Sequence, residues 1–395
     1  MIYLDNNATT PIDPEVVEAM KPYLLEEYGN PSSKFYTLAR NAEKAVMEAR
    51  EKVAALINAK PKEIIFTSSA TESNNFIIKG VADYMKYYEE KGNHIITSKV
   101  EHPSIISTCR FLNGDIYMNK EKRKSLTAGN KKIDRGFEVD FLDVNQYGQV
   151  EINTIGKAIK ENTILGSIIW GNNETGNLNN ISEIANTFKD KGVLFHTDAT
   201  QVAGRMPIDV KQIQIDFLSF AAHKLYGPKG IGAAYIRSGK YSMPDITSLI
   251  HGGDNQEYGY RAGTLCVHNI VGFGKAAEIA KRDMKSYIEK LSRLEIEFKK
   301  MISQKYREVV FITHEDNSKH IPGVVSFAIP EVNNMMYIKN LSDKVALSSG
   351  SACSITSESY VLKAINKQEY NTSFLRVSFN KYNTEEEINR LKDIM

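Results

Sequence analysis

Apolar positions recur at helical spacing over residues 15–27 and 39–58, which predicts two amphipathic helices. Asp13-Pro14, ahead of the first, supplies an N-cap residue and a proline at the first helical position. Short runs rich in β-branched and aromatic residues follow at 63–67, 94–97, 163–170, 193–197 and 217–221, with helical patterns such as 182–189 between them. That alternation predicts an α/β fold in which helices cover a mostly parallel sheet. A long charged amphipathic helix is expected from 271 to about 302, then β-like segments at 309–312 and 324–329 and a final helix from Thr384. The pattern divides the chain into a large lobe over 13–280 and a smaller α+β lobe assembled from 1–12 and 281–395.

At 395 residues the chain exceeds an ordinary single domain and can bury an ample core. Its 50 Lys and Arg against 48 Asp and Glu leave almost no net charge, so direct nucleic-acid contact is not expected. One segment, 113–137, is locally basic, with Lys120, Lys122, Arg123, Lys124, Lys131, Lys132 and Arg135 against Glu121 and Asp134. Charge runs of this kind usually stay solvated, and a solvated excursion is the favoured reading over a partner contact. The N-terminus has no basic start and no long apolar run, and no other stretch approaches membrane-spanning length, so a cytoplasmic protein without membrane association is expected. The three cysteines, Cys109, Cys266 and Cys353, have neither metal-ligand spacing nor an even disulfide count. They fit a reducing compartment and at least one working thiol, with no metal site.

The densest chemistry lies in 219–230, where His223-Lys224 stands between an apolar strand and a glycine turn. A lysine amine holds an aldehyde cofactor only when its pKa falls well below roughly 10.4, and desolvation plus a neighbouring cation do that. The Ser/Thr-rich stretch 67–75 follows a strand and opens a helix, a pattern that binds phosphate but also serves as a plain cap. Asp198, at a strand end, is placed to pair with a protonated ring nitrogen or to cap a turn. His102 also follows a strand, where an imidazole can stack on a ring, shuttle a proton or be structural. Arg376 lies inside an apolar strand and needs an anion, either a bound carboxylate or a buried ion pair, while Asn173 lies in a loop that offers amides to a strand end. Cys353 stands among small residues in 348–354, from which a thiolate can approach a bound substrate. Cys109 and Cys266 are expected to pack as small apolar residues. A phosphate cradle, a ring acid, a stacking histidine, an amine, a carboxylate clamp and a thiol together suit pyridoxal phosphate acting on an amino acid.

From Tyr3-Leu4-Asp5-Asn6-Asn7-Ala8-Thr9-Thr10-Pro11, through Gly29-Asn30-Pro31-Ser32-Ser33, to Arg376-Val377-Ser378 and Thr384-Glu385-Glu386-Glu387, the chain resembles the NifS/IscS-type cysteine desulfurases. These are class-V aminotransferases within the fold-type I pyridoxal-phosphate enzymes. Ser348-Ser349-Gly350-Ser351-Ala352-Cys353, in a longer loop, resembles the first group of that family. The resemblance implies that Lys224 carries pyridoxal 5'-phosphate, that His102 stacks on its ring, that Asp198 keeps the ring nitrogen protonated and that Gln201 contacts the ring oxygen. It places Ala70, Thr71 and His223 in the cofactor's phosphate region, and Thr264 would complete the site of a neighbouring subunit in a homodimer. Asn173 and Arg376 would fix the carboxylate of L-cysteine, and Cys353 would take the sulfur as a persulfide while alanine is released. A sulfur-acceptor protein would then receive it, for iron-sulfur assembly, tRNA thiolation or DNA phosphorothioation. A selenocysteine lyase and a non-catalytic dimeric platform remain alternatives, because a fold does not choose its reaction.

Three positions depart from the family pattern: Ala221 replaces a phosphate-binding Ser, Ser69 a Gly before Ala-Thr, and Asn380 a Gly after 376–379. The stretch after the final helix is also shorter than the family's usual tail. With the basic segment 113–137, this points away from a general scaffold-loading role.

Overall fold

The computed structural model describes residues 1–115, 133–239, 242–253, 256–350 and 358–395; most of the basic segment, and Cys353, lie outside the described residues. In chain order the elements are β1 (Ile2–Tyr3), α1 (Pro14–Leu25), α2 (Thr37–Leu56), β2 (Ile64–Thr67), α3 (Ala70–Tyr87), β3 (His94–Ser98), α4 (Pro103–Leu112), β4 (Glu138–Leu142), α5 (Ile152–Ala158), β5 (Thr163–Ser167), α6 (Ile181–Asp190), β6 (Leu194–Asp198), β7 (Phe217–Ala221) and β8 (Gly232–Ile236). The 39-residue α7 (Val267–Lys305) leads to β9 (Val310–Phe311), β10 (Val324–Ala328), α8 (Asn334–Leu341), β11 (Val345–Ala346), α9 (Tyr360–Ala364), β12 (Phe374–Ser378) and α10 (Glu385–Ile394).

Seven strands form one sheet in the order β2-β8-β7-β6-β5-β3-β4. All neighbours are parallel except β8, which runs antiparallel to both β2 and β7. Side chains alternate between its faces: Ile64, Phe66, Ile96 and Leu218 join one core, and Ile65, Ile95 and Phe217 another. Helices cover both faces, as near-continuous apolar strands require. The Gly232-Ala233-Ala234 start of β8 carries little strand propensity, and pairing on both sides is what makes it a strand.

The strand expected over 163–170 stops at Ser167. Trp170 N still donates to Asp198 O at 3.0 Å. The side-chain oxygen of Asn172 then accepts from Glu174 N and Thr175 N (2.9 and 3.0 Å), which bends the chain into a loop. The α1 start follows the expected chemistry, with Asp13 Oδ1 accepting from Glu15 N at 2.8 Å and Pro14 in the first turn.

Helix α7 begins four residues before the expected start and serves two cores. Ile270, Phe273 and Ala277 pack into the first, and Leu291, Leu294 and Phe298 into a second with Ile2, Leu4, Phe327 and Val377. In that region β12, β10 and β9 form an antiparallel sheet, and β1 pairs in parallel with β11. The departures at 69 and 380 have local reasons. Ser69 is extended at φ −175° and its Oγ accepts from Glu72 N, capping α3. Asn380 Nδ2 donates to Tyr3 O at 2.9 Å and its Oδ1 accepts from Tyr382 N at 2.8 Å, tying β1 to the turn before α10. Cys109 is buried, but Cys266 is exposed just ahead of α7, with Sγ 3.2 Å from His268 Nε2, which corrects the expectation of an apolar packing role. No helix among the described residues is long and apolar enough to cross a membrane.

Candidate active site

The carboxyl ends of β2, β3, β6 and β7 converge on one cavity of about 250 Å³, the position where open α/β sheets place their ligands. β7 delivers His223 and Lys224 in a single 3-10 turn. Lys224 Nζ donates to Asn7 O and Ala8 O, at 2.5 and 2.8 Å. Burial, then the guanidinium groups of Arg205 and Arg376, push its pKa down to about 7. About half of the amine is therefore neutral at pH 7.

Two residues on, Tyr226 sits in the left-handed region at φ 65°, which costs a bulky residue about 1–3 kcal/mol. Its neighbours hold it there: Tyr226 N donates to Thr10 Oγ1, its carbonyl accepts from Asp13 N, and its hydroxyl accepts from Lys381 N, each at 2.9 Å. This clamp fixes the turn that aims Lys224. His223 lies 3.2 Å from Thr9 Oγ1, and burial followed by the charges of Lys224 and Lys229 lowers its pKa to about 4, so its ring is neutral.

At the end of β6, Asp198 Oδ2 accepts from Asn74 Nδ2 and Oδ1 from Thr200 N, both at 2.9 Å. Gln201 Nε2 donates to Asn7 O at 3.1 Å. Gln201 Oε1, Thr200 Oγ1 and Asn173 Oδ1 are buried with no hydrogen-bond partner among the described residues. Buried polar atoms are normally paired, so three such atoms on one cavity mark where a polar ligand would complete the site.

Arg376, buried in the middle of β12, donates from Nη2 to Asp5 Oδ1 at 2.7 Å and from Nη1 to Asn173 O and Gly350 O at 2.6 and 2.9 Å. The ion pair left open by the sequence is therefore present, yet Arg376 Nε keeps no partner among the described residues. Glu174 is buried beside it; burial raises its carboxyl pKa, and Ser359 Oγ donates to Oε2 at 2.6 Å.

Ala70, Thr71, His102, Asn173, Asp198, Gln201, His223, Lys224 and Arg376, all expected from the sequence, line this cavity together. Thr264 is exposed and does not line it, and Cys353 lies outside the described residues. Sequence reasoning missed roles for Asn7, Ala8, Glu174, Thr200 and Tyr360, which also line it. For Asn7 and Ala8 there was a signal, since an asparagine pair followed by small residues directly after an apolar strand rarely folds into a core without a polar partner.

The class-V aminotransferase family matches residues 2–116 and 116–391. The cysteine desulfurase IscS of Dechloromonas aromatica (strain RCB) is 41% identical over 392 residues, covering 98% of this chain and 89% of that protein. Among solved structures, a NifS-like protein superposes with a TM-score of 0.85 at 32% identity, covering 99% of this chain and 97% of its own. SspA in complex with cysteine superposes with a TM-score of 0.78 at 33% identity, covering 97% of this chain and all (100%) of that one.

Proposed function

The chain belongs to the class-V aminotransferases and is a cysteine desulfurase, and from that premise we propose how its cavity takes sulfur from L-cysteine. The observation that carries the reading is a lysine amine with its pKa lowered to about 7, sharing one cavity with a buried carboxylate and a buried arginine that retains an open donor.

The family depends on pyridoxal 5'-phosphate, and the residues here fit that group. Asp198 offers a carboxylate for the ring nitrogen, the unpaired Thr200 Oγ1 can donate to an acceptor substituent, and the unpaired Gln201 Oε1 can accept from a ring hydroxyl. Lys224 suits its aldehyde; Thr71 at the start of α3 and the neutral His223 suit its phosphate. When bound, the cofactor supplies a ring that accepts the electron pair left behind as the Cα proton departs.

Arg376 Nε, with Asn173 beside it, binds the substrate carboxylate. The Lys224 amine takes the Cα proton. The Cys353 thiolate then attacks the substrate sulfur: a sulfur–sulfur bond forms, the substrate carbon–sulfur bond breaks with its electron pair left on carbon, and protonation of that carbon skeleton yields alanine. Residues 13–280 are read as the cofactor lobe, and 1–12 with 281–395 as the lobe that carries Cys353. Exposure of Thr264 supports a homodimer in which it reaches the second subunit's site, with an acceptor protein taking the persulfide sulfur onward.

Mass spectrometry of peptides from cofactor-supplemented protein given one equivalent of L-cysteine tests the reading. The Cys353 peptide is expected to gain one sulfur atom. Alanine formation with sulfur on Cys266 instead, or on no cysteine, would contradict it.

A further inference from the structure

Two polar residues lie behind the cavity wall against His102: Ser104, in contact with its ring, and Asn74, in contact with Ser104. We propose that Ser104 and Asn74 are positioning residues that hold His102 as a neutral imidazole with its proton on Nε2. The inference rests on the role proposed above for His102 in the cofactor site.

His102 is the N-cap of α4: its Nδ1 accepts from Ser104 N at 3.2 Å, with Pro103 in the first turn. A ring nitrogen accepts only when it carries no proton. Ser104 Oγ lies 2.8 Å from the same Nδ1. That hydroxyl accepts from Asn74 Nδ2 at 2.9 Å, which leaves its own proton to donate to the ring. Asn74 Nδ2 gives its other hydrogen to Asp198 Oδ2 at 2.9 Å. An ionised carboxylate can only accept, so Asp198 fixes which way the Asn74 amide faces, and the donors then run in one direction from Asn74 through Ser104 to His102. Asn74 is fully buried and Ser104 nearly so, at 0% and 8% exposure, which keeps water from competing.

Protonating Nδ1 would break the cap, set two donors against the ring and place a cation at the positive end of α4. The charged and titratable groups around His102 are Asp198, Lys224, His223, Arg376, Glu174 and Tyr360, which line the same cavity, with Glu101 preceding it in the chain. Burial opposes a cation there, Asp198 favours one and Lys224 opposes it, so that the His102 pKa is lowered. Its Nε2 has no hydrogen-bond partner among the described residues, so the cavity receives a neutral N–H donor. Sequence reasoning found His102 but neither partner, because the relay joins α3, α4 and β6.

Nitrogen-15 histidine NMR of the full-length, cofactor-supplemented protein reads the tautomer, with the His102 signal identified by its loss in His102→Gln. In the parent at pH 7, Nδ1 should appear unprotonated and Nε2 protonated. In Ser104→Ala and in Asn74→Leu, the pH at which the ring takes its second proton should rise by about half to one unit, the equivalent of one hydrogen bond. Ser104→Thr, which keeps the hydroxyl, should restore the parent titration. A proton on Nδ1 of the parent at pH 7, or titrations unchanged in both variants, would overturn the proposal. A parent that shows this tautomer but makes no alanine from cysteine would overturn the proposed function and leave the tautomer assignment standing.

Discussion

Lys224 shows how much of a catalytic residue's character comes from outside its own motif. His223-Lys224 before a glycine turn was legible as an amine site, but its acceptors, the carbonyls of Asn7 and Ala8, lie 217 and 216 residues away along the chain. Because burial and two guanidinium groups lower its pKa to about 7, the proton-accepting form is lost as pH falls through that value. Cysteine turnover should then drop about tenfold per pH unit below it, measured as alanine release across a pH series. Lys224→Ala should lower turnover about 10²- to 10⁴-fold, the range removed with a positioned base. Ala221, in the last position of β7, has no hydroxyl to offer a bound phosphate. Ala221→Ser should tighten cofactor retention by roughly tenfold or more, since a hydrogen bond to an anion contributes about 1.5–3 kcal/mol; an unchanged affinity by equilibrium dialysis would contradict this. Glu174 and Tyr360 were not legible at all, because nothing in their local sequence says that they face the same cavity as Lys224.

At the scale of elements, the sequence pattern located strands and helices where period and caps agree, as at Asp13-Pro14 and at Thr384, whose side chain forms a capping box with Glu387. It missed β8, whose alanines take their conformation from two neighbours, and it could not see that a histidine caps α4. It also could not see the ion pair that joins α2 to the loop before α7. Arg50 donates twice to Glu257, at 2.8 and 2.5 Å, with side-chain exposures of 3% and 0%, while Glu257 also accepts from Phe66 N at 2.6 Å. Arg50→Met leaves that carboxylate unpaired and should cost about 3–5 kcal/mol in urea unfolding; a loss below about 1 kcal/mol would contradict the assignment. Glu295 of α7 accepts from Gly323 N at 2.9 Å and lies 2.6 Å from His320 Nε2. Burial raises its pKa, but His320 and Lys299 outweigh that and the folded value is lowered. Its stabilising contribution is therefore full above the ordinary glutamate value of about 4.3 and disappears as pH falls through the lower folded value. Glu295→Gln should reduce that acid dependence.

For the whole molecule, α7 links the two cores, since its first half packs with the seven-stranded sheet and its second half with β10 and β12, the strand that carries Arg376. The alternation of strands and helices was enough to predict the α/β sheet, but the assembly of Asp5, Asn173 and Arg376 into one contact needed the folded chain. Sedimentation should give twice the chain mass, and a monomer with full turnover would contradict the role proposed for Thr264. On the proposed reading, this cavity removes sulfur from L-cysteine by way of Cys353. The most direct test of that reading is alanine and sulfide release from L-cysteine with a thiol reductant, comparing the cofactor-supplemented parent with Cys353→Ser. Equal amounts of alanine and sulfide are expected from the parent and neither above background from the variant. Alanine from Cys353→Ser at the parent's rate would contradict it.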